Sequence, residues 1–347
     1  MSQSLGSDNH SGIHADILKA IQAANFGHSP SYGTDDLSSQ CRQQFKILFG
    51  ADCEAFFVFN GTAANTLCLK SLLQSYEAVL CHKGSHMNLD ECGAPEFIAG
   101  VKLIALDSPD GKLTPELCEQ ALVRRGDQHH SQIKLLSITQ PTEVGTLYTL
   151  DELRALSEFC KKNSLYFHID GARFIHAPQQ LACSFKELTS EIGVDAVSFG
   201  GTKNGLLFGE AVLLFNKEHH KNFRYVRKQC LQLPSKMRFL AAQFLRLFDG
   251  DLWKSISRHE CEMARYLAQN LEGIPQVEIA YKVQANSVFA KLPKEWLKPL
   301  REVSFFYVWD EKEWVVRWMM SFDTNKDDID KFVAKLRELS STQSPRS

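Results

Sequence analysis

The sequence of 347 residues lacks an excess of either charge and lacks any long apolar run. Its 39 Lys and Arg residues against 41 Asp and Glu residues give a formal net charge of −2, which excludes the overall basic surface typical of nucleic-acid-binding proteins. The most apolar stretches, residues 54–59 and 211–215, have the length of a β-strand, far short of a transmembrane helix. We therefore expect a soluble protein without nucleic-acid or membrane partners.

The ten cysteines lack the close spacing of a metal or redox motif. No two of them form a Cys-x-x-Cys pair, which excludes zinc ribbons and thioredoxin-like sites, and we expect no bound metal. Several, such as Cys68, Cys81 and Cys160, lie within apolar segments, where a thiol behaves as a small hydrophobic side chain. The first ten residues also lack the layout of a secretory signal, so we expect a reducing, cytoplasmic location.

Short apolar runs alternate with helical patterns between residues 40 and 215, which is typical of an α/β domain with a mostly parallel sheet. The seven predicted strands are residues 55–59, 78–81, 101–106, 133–138, 165–169, 196–199 and 211–215. The clearest helical patterns are residues 36–48, 63–73, 115–124 and 150–163. After Pro234 the patterns predict a smaller α+β domain, with a long helical region, four strands and a closing helix at 236–271, 277–281, 287–291, 303–309, 314–322 and 326–339.

An acidic residue follows one of the predicted strands directly. The segment His-Ile-Asp-Gly-Ala-Arg at residues 168–173 places Asp170 at the carboxyl end of a hydrophobic strand. Ligands of open α/β sheets bind beyond these strand ends, so Asp170 is positioned to meet one. Taken alone, the segment favours the simpler interpretation, an aspartate that caps the next helix and pairs with Arg173.

A lysine in a glycine-rich loop follows the next strand. In residues 200–205, Gly-Gly-Thr-Lys-Asn-Gly, Lys203 could contact a phosphate, form a Schiff base, or be an ordinary exposed loop lysine. The spacing of a nucleotide-binding P-loop is absent, and no Gly-x-Gly-x-x-Gly occurs. The segment around Gly61 and Thr62 forms a third strand–turn–helix, whose helix N-terminus could hold an anion such as phosphate or could be a plain connection.

The three segments together fit the needs of pyridoxal phosphate, which requires a lysine for a Schiff base, a carboxylate at the pyridine nitrogen and a phosphate site. They resemble the low-specificity L-threonine aldolases, members of the β-eliminating lyase superfamily of fold-type I enzymes. The resemblance extends from residue 7 to about residue 339 and is most specific at 168–173 and 201–205. Supporting segments are residues 6–8, 32–35, 61–65 and 86–95.

The resemblance implies an aspartate-aminotransferase-like α/β fold with a mostly parallel seven-stranded sheet in a large domain. It implies an N-terminal segment (1–20) that contributes to the active site, a large cofactor-binding domain (21–240) and a small C-terminal α+β domain (241–347). It also implies a homodimer or homotetramer that binds a small amino-acid substrate.

The resemblance also assigns roles to the residues that would bind pyridoxal 5'-phosphate. Lys203 would form the Schiff base, and Asp170 would pair with the pyridine nitrogen. His86 would stack on the ring close to the substrate hydroxyl, where a side chain with a near-neutral pKa suits proton transfer. Gly61 and Thr62 would hold the phosphate.

A second group of residues would contact the substrate carboxylate or an additional phosphate. Ser7, Arg173 and Arg317 would bind the carboxylate, because an arginine fork holds such a group at two points, and Arg173 would also lie against the cofactor. Arg227 and Lys228 form a basic pair that would reach a phosphate, across a subunit interface in this family.

The sequence departs from the family pattern at one functional position. Many members have Thr-His-Asn after the strand that precedes the aspartate, and that histidine contacts the substrate hydroxyl. Residues 139–142 are instead Thr-Gln-Pro-Thr, so the base is left open between His86 and a bound water. A milder departure is Thr202 before the lysine, where serine is common.

The predicted activity is retro-aldol cleavage of L-threonine, L-allo-threonine or similar β-hydroxy-α-amino acids to glycine and an aldehyde. Two alternatives remain open at this point. One is β-elimination from a cysteine-like or aromatic amino acid on the same scaffold. The other is a non-catalytic protein that binds phosphate at Gly61 and Thr62.

Overall fold

A computed structural model describes residues 4–343. Its α-helices are α1 (Ala15–Ala24), α2 (Asp36–Phe49), α3 (Gly61–Leu72), α4 (His86–Leu89), α5 (Pro115–Ala121), α6 (Leu150–Lys162), α7 (His176–Leu181), α8 (Lys217–Gln229), α9 (Arg238–Phe248), α10 (Leu252–Leu271), α11 (Leu297–Val303) and α12 (Lys326–Gln343). Its strands are β1 (Glu54–Val58), β2 (Glu77–His82), β3 (Lys102–Leu106), β4 (Gln132–Thr139), β5 (Tyr166–Gly171), β6 (Ala196–Phe199), β7 (Glu210–Leu214), β8 (Glu278–Ile279), β9 (Ser287–Lys291), β10 (Tyr307–Asp310) and β11 (Val315–Met319).

The larger sheet has seven strands in the order β1-β7-β6-β5-β4-β2-β3. The five strands from β6 to β3 run parallel, and β7 is antiparallel to both of its neighbours. The predicted mostly parallel, seven-stranded sheet is therefore confirmed, and each predicted strand lies within two residues of the observed one. The runs were recognisable because parallel strands covered on both faces are almost continuously apolar.

Helices cover both faces of this sheet, and successive strand residues contribute to different cores. In β7, Leu213 packs into the core beneath α2, α6 and α9, whereas Val212 and Leu214 pack beneath α3 and α8. The first of these cores holds a group of edge-to-face aromatic contacts, such as those of Phe45 with Phe199 and Phe244. These cores fix the carboxyl ends of the strands, where the predicted site residues lie.

The C-terminal part carries a four-stranded antiparallel sheet in the order β10-β11-β9-β8, packed on α10, α11 and α12. The continuous helical region predicted at 236–271 is wrong in one respect: it is two helices, because Gly250 and Asp251 have φ values of 57° and 58°. The strand predicted at 303–309 is also partly wrong. Its first residue ends α11, and the strand begins at Tyr307.

The predicted domain boundary at residues 240 and 241 falls inside α9. Leu240, Phe244 and Leu247 of this helix pack in the core of the larger sheet. The division into 1–20, 21–240 and 241–347 stays a prediction, and its first three and last four residues lie outside the described residues. Within the described range 4–343, no helix has the length and apolar character needed to cross a membrane.

The N-terminal segment joins the two sheets. The backbone N–H of Met319 in β11 donates to the carbonyl of Leu5 at 2.8 Å, and the N–H of Leu5 donates to Ser304 Oγ at 3.2 Å. The chain then turns through the short 3₁₀ helix Asp8–His10, capped by Ser7. The segment thereby places Ser7 and Asp8 between the small sheet and the carboxyl end of β5.

Candidate active site

Three predicted functional side chains lie at or just beyond the carboxyl ends of parallel strands, at one edge of the larger sheet. Asp170 lies at the end of β5, Lys203 lies in a 3₁₀ turn after β6, and His86 begins α4 after β2. Asn65 links Asp170 to His86 through Glu91, and the charges of Asp170 and Lys203 both act on the pKa of His86, so the three groups share one site. The convergence follows from the parallel arrangement, because the carboxyl ends of such strands share one edge.

The lysine loop is fixed by close backbone packing. A Cβ at Gly200 would lie 2.0 Å from the carbonyl oxygen of Ala172, so only glycine fits there. Asn204 donates from Nδ2 to the Gly200 carbonyl at 2.8 Å, and Thr202 Oγ1 accepts the N–H of Gly209 at 3.0 Å. Serine could accept the same bond, which explains why threonine is tolerated before the lysine.

The carboxylate of Asp170 is buried and held by two donors. Its Oδ2 accepts a hydrogen bond from Asn65 Nδ2 at 2.8 Å, and its Oδ1 accepts the N–H of Ala172 at 3.2 Å. Asn65 lies on α3, whose N-terminus carries the predicted phosphate-binding residues. One helix therefore orients the aspartate and also presents the turn at Gly61 and Thr62.

The N-terminus of α3 is open toward the site. Asn60 caps the helix by accepting the N–H of Ala63 at 2.9 Å. A Cβ added to Gly61 would meet nothing within 4 Å, so there is free space beside the first turn. Gly61 and Thr62 are half-buried, and the positive end of the 12-residue helix favours an anion beside them.

His86 is held by a buried glutamate. Its Nδ1 lies 2.9 Å from Glu91 Oε1, which also accepts Asn65 Nδ2 at 2.7 Å. The hydrogen bond to Glu91 raises the pKa of His86, burial opposes the increase, and the charges of Glu143 and Asp170 add to it. Asn65 thus links the aspartate to the histidine through Glu91.

The predicted carboxylate-binding residues meet on the other side of the site. Arg173 donates from Nε to Asp8 Oδ2 at 2.5 Å and from Nη2 to Asp8 Oδ1 at 3.0 Å. Arg317 donates from Nη2 to the Gly6 carbonyl at 3.3 Å, and its guanidinium lies 5.2 Å from the ring centre of Trp309. Arg317 Nε is buried without a partner in the described part of the chain, and Ser7 lies next to Gly6.

Glu143 lies where the sequence pattern lacks the expected histidine. Gln140 is fully buried and exchanges two hydrogen bonds of 3.0 Å with the backbone of Tyr148, so it faces away from the site. Glu143 Oε1 accepts the backbone N–H of His86 at 3.3 Å. Together with Arg317 it lines a cleft of about 630 Å³ between the two sheets.

Arg227 and Lys228 make other contacts than those expected of a phosphate-binding pair. Arg227 is buried and donates from Nη1 to the carbonyl of Phe57 at 3.1 Å. Burial lowers its pKa to about 10. Lys228 is exposed, and its Nζ lies 5.5 Å from the ring centre of Tyr32. Their role at a phosphate stays a prediction.

Sequence reasoning gave no role to four residues that the structure places at this site, namely Asp8, Asn65, Glu91 and Glu143. The first three lie inside the segments that carry the family resemblance, but their side-chain contacts depend on tertiary packing. Glu143 had one available signal, because it is a carboxylate shortly beyond the carboxyl end of a parallel strand.

The family model described as beta-eliminating lyase matches residues 4–294. The chain is 42% identical to a low specificity L-threonine aldolase from Pseudomonas sp., covering 98% of this chain and 99% of that protein. It is also 42% identical to the Pseudomonas aeruginosa protein of the same name, with 96% and 97% covered. A threonine aldolase structure from Leishmania major superposes with a TM-score of 0.92 at 28% identity, covering 97% of this chain and 99% of that chain.

Proposed function

The chain belongs to the beta-eliminating lyase family, and on this premise we propose that it is a pyridoxal-phosphate-dependent threonine aldolase. The reaction is cleavage of L-threonine, L-allo-threonine or a similar β-hydroxy-α-amino acid to glycine and an aldehyde. The observation that carries the proposal is the meeting of Asp170, Lys203 and His86 at one sheet edge, beside the open N-terminus of α3.

The residues at this edge fit pyridoxal phosphate. The free space at Gly61 suits an anion at the first turn of α3. Asn65 Oδ1 and Glu91 Oε2 are buried beside Asp170 and His86 and have no hydrogen-bond partner among residues 4–343. Unsatisfied polar atoms of this kind are costly in a folded protein, and they support a site built for a polar ligand.

Five residues would hold this cofactor. Lys203 would be its covalent attachment point, Asp170 would pair with its ring nitrogen, and His86 would lie against its ring. Gly61 and Thr62 would hold its phosphate. When bound, pyridoxal phosphate supplies an electron sink for the bond that breaks at the substrate Cα.

The substrate carboxylate would be bound between the two sheets. Arg173 is already engaged with Asp8, so it would approach the carboxylate with the remaining N–H groups of a fixed guanidinium. Arg317 offers an unpartnered buried Nε, and Ser7 stands between the two arginines along the N-terminal segment. Two charge-assisted contacts would fix the orientation of the Cα–Cβ bond, which governs which bond breaks.

The proton of the β-hydroxyl needs an acceptor. His86 in its neutral form would accept it, since Glu91 fixes Nδ1 and leaves Nε2 to face the site. Glu143 is the second polar group on this side and would hold a water or the hydroxyl itself. A cleft of about 630 Å³ adjoins Glu143 and Arg317.

A single preparation tests the cofactor and the reaction. Wild type supplied with pyridoxal phosphate is expected to turn yellow and to retain the cofactor irreversibly after reduction with borohydride. It is also expected to release glycine and an aldehyde from L-threonine. Lys203→Ala should lose all three properties, whereas Lys254→Ala, which removes a half-buried lysine paired with Asp251, should retain them.

The same assay separates the alternatives. Pyruvate and ammonia in place of an aldehyde would identify a β-eliminating enzyme. A wild type that binds no pyridoxal phosphate and is indifferent to Lys203→Ala would identify a non-catalytic phosphate-binding protein.

A homo-oligomer is part of the proposal. Phe26 and Leu231 are 89% and 83% exposed, and Tyr32, Phe59 and Phe208 are also exposed. Phe59 follows β1 directly, and its ring centre lies 6.1 Å from that of Phe208; exposed apolar side chains of this kind favour coverage by a second copy. Light scattering of the purified protein should give the mass of a dimer or a tetramer. A reducing compartment is supported by the ten cysteines, which are all unpaired and mostly buried.

A further inference from the structure

Glu210 is a buried carboxylate beside the lysine loop that the proposed reaction does not use. It is the first residue of β7, only 7% exposed, and pairs in register with Val58 of β1. Its Oε2 accepts the backbone N–H of Gly201 at 2.5 Å. Because Lys203 is two residues further along the same loop, the carboxylate is built against the backbone that carries the lysine.

Thr202 links the lysine loop to Gly209 and Glu210 at the start of β7. Its hydroxyl accepts the N–H of Gly209 at 3.0 Å and hydrogen-bonds to Glu210. A hydroxyl has one hydrogen to donate, so the bond from Gly209 leaves that hydrogen for the carboxylate. A Cβ at Gly201 would lie 2.3 Å from the Gly209 carbonyl oxygen, so the loop packs directly on the backbone before β7. Glu210 therefore has three donors, all from the loop: the Gly201 N–H, the Thr202 N–H and the Thr202 hydroxyl.

The charge of Lys203 acts on Glu210. Burial raises the pKa of Glu210 to about 7, whereas the hydrogen bonds from Thr202 and Gly201 and the charge of Lys203 lower it. The loop thus presents three neutral donors to the carboxylate, namely the N–H groups of Gly201 and Thr202 and the Thr202 hydroxyl. A carboxylate with this pKa changes charge near neutral pH.

We propose that Glu210 is a positioning residue, which fixes the lysine loop through Gly201 and Thr202. The position of Lys203 in the loop is observed, and only the importance of the lysine rests on the proposed function. Glutamine at residue 210 would keep an oxygen for the Gly201 N–H, whereas alanine would keep none. Comparison of the two variants therefore isolates the contact with the loop.

Hydrogen–deuterium exchange of the apoprotein, read by mass spectrometry, measures how often the backbone of residues 200–205 opens. In Glu210→Ala, this segment is expected to exchange about tenfold faster than in wild type, because the Gly201 N–H loses its acceptor. Glu210→Gln keeps an oxygen and should stay close to wild type, and peptides from α12 in the same samples are the internal control. A folded Glu210→Ala protein with unchanged exchange at residues 200–205 would overturn the proposal.

A second pair of variants tests the proposal if Glu210→Ala does not fold. Thr202→Val removes the hydroxyl that accepts the Gly209 N–H and donates to Glu210, so residues 200–205 should again exchange faster than in wild type. Thr202→Ser keeps the hydroxyl and should exchange like wild type. Identical exchange for the two variants would count against the proposal. Because no cofactor or substrate is present, failure of the aldolase assay would leave these results unaffected.

Discussion

Asp8 and Arg173 form a two-point ion pair between the N-terminal segment and the carboxyl end of β5, with contacts of 2.5 and 3.0 Å. Asp8 is buried, and Asn286 donates to its Oδ2 at 3.3 Å. Burial alone would raise the pKa of Asp8, but the charges of Arg173 and Lys203 outweigh it and lower the pKa. The ionised Asp8 fixes the guanidinium plane that the proposed substrate carboxylate would meet.

Substituting Asp8 should weaken substrate binding more than the chemical step. In Asp8→Asn the guanidinium loses its charged partner, so KM for L-threonine is expected to rise about tenfold with a smaller change in kcat. Steady-state kinetics measure both constants. Asp16→Asn is the control, since it breaks a half-buried ion pair with Arg246 away from the site. A fall in kcat at unchanged KM would contradict the assignment.

Glu91 should set the acidic limb of the pH profile. The hydrogen bond to Glu91 raises the pKa of His86, and the neutral form of His86 is the base. Activity should therefore rise as pH increases through that pKa, and Glu91→Gln should lower the pKa and move the limb to lower pH. The measurement is kcat/KM against pH, with the exposed Glu96→Gln as control. A limb that does not move would exclude His86 as the titrating base.

Glu143 should contribute to the chemical step. Glu143→Gln keeps the size and an oxygen for the His86 N–H but removes the charge, so kcat is expected to fall about tenfold or more. Asp107 lines the same cleft and forms an exposed ion pair with Lys83. The control variant Asp107→Asn should therefore change kcat little. Equal effects of the two variants would show that the cleft charge, and not the position of Glu143, matters.

The sequence predicted the parts of the fold and site that depend on local pattern. The seven strands were recognisable as apolar runs; Asp170 was recognisable because it follows such a run directly, and Lys203 because it lies in the glycine-rich loop after the next run. The contacts that orient them were not predictable, because Asn65 reaches Asp170 across 105 positions in the chain. The break at Gly250 was missed because the helical periodicity continues on both sides of it.

Glu210 should make the stability of the apoprotein depend on pH in a defined direction. Burial raises its pKa from 4.5 to about 7, so the folded state binds the proton more tightly than the unfolded state. The stabilisation from this proton is complete below the unfolded value and is lost as pH rises through the folded value. Between these two pKa values, the free energy of unfolding of wild type should fall by about 3 kcal/mol relative to that of Glu210→Gln, whose side chain does not titrate. Urea unfolding of both proteins at about pH 4 and about pH 8 measures the difference. Exposed Glu262→Gln should track wild type at both values, and a constant difference between wild type and Glu210→Gln would mean that Glu210 keeps one charge state throughout.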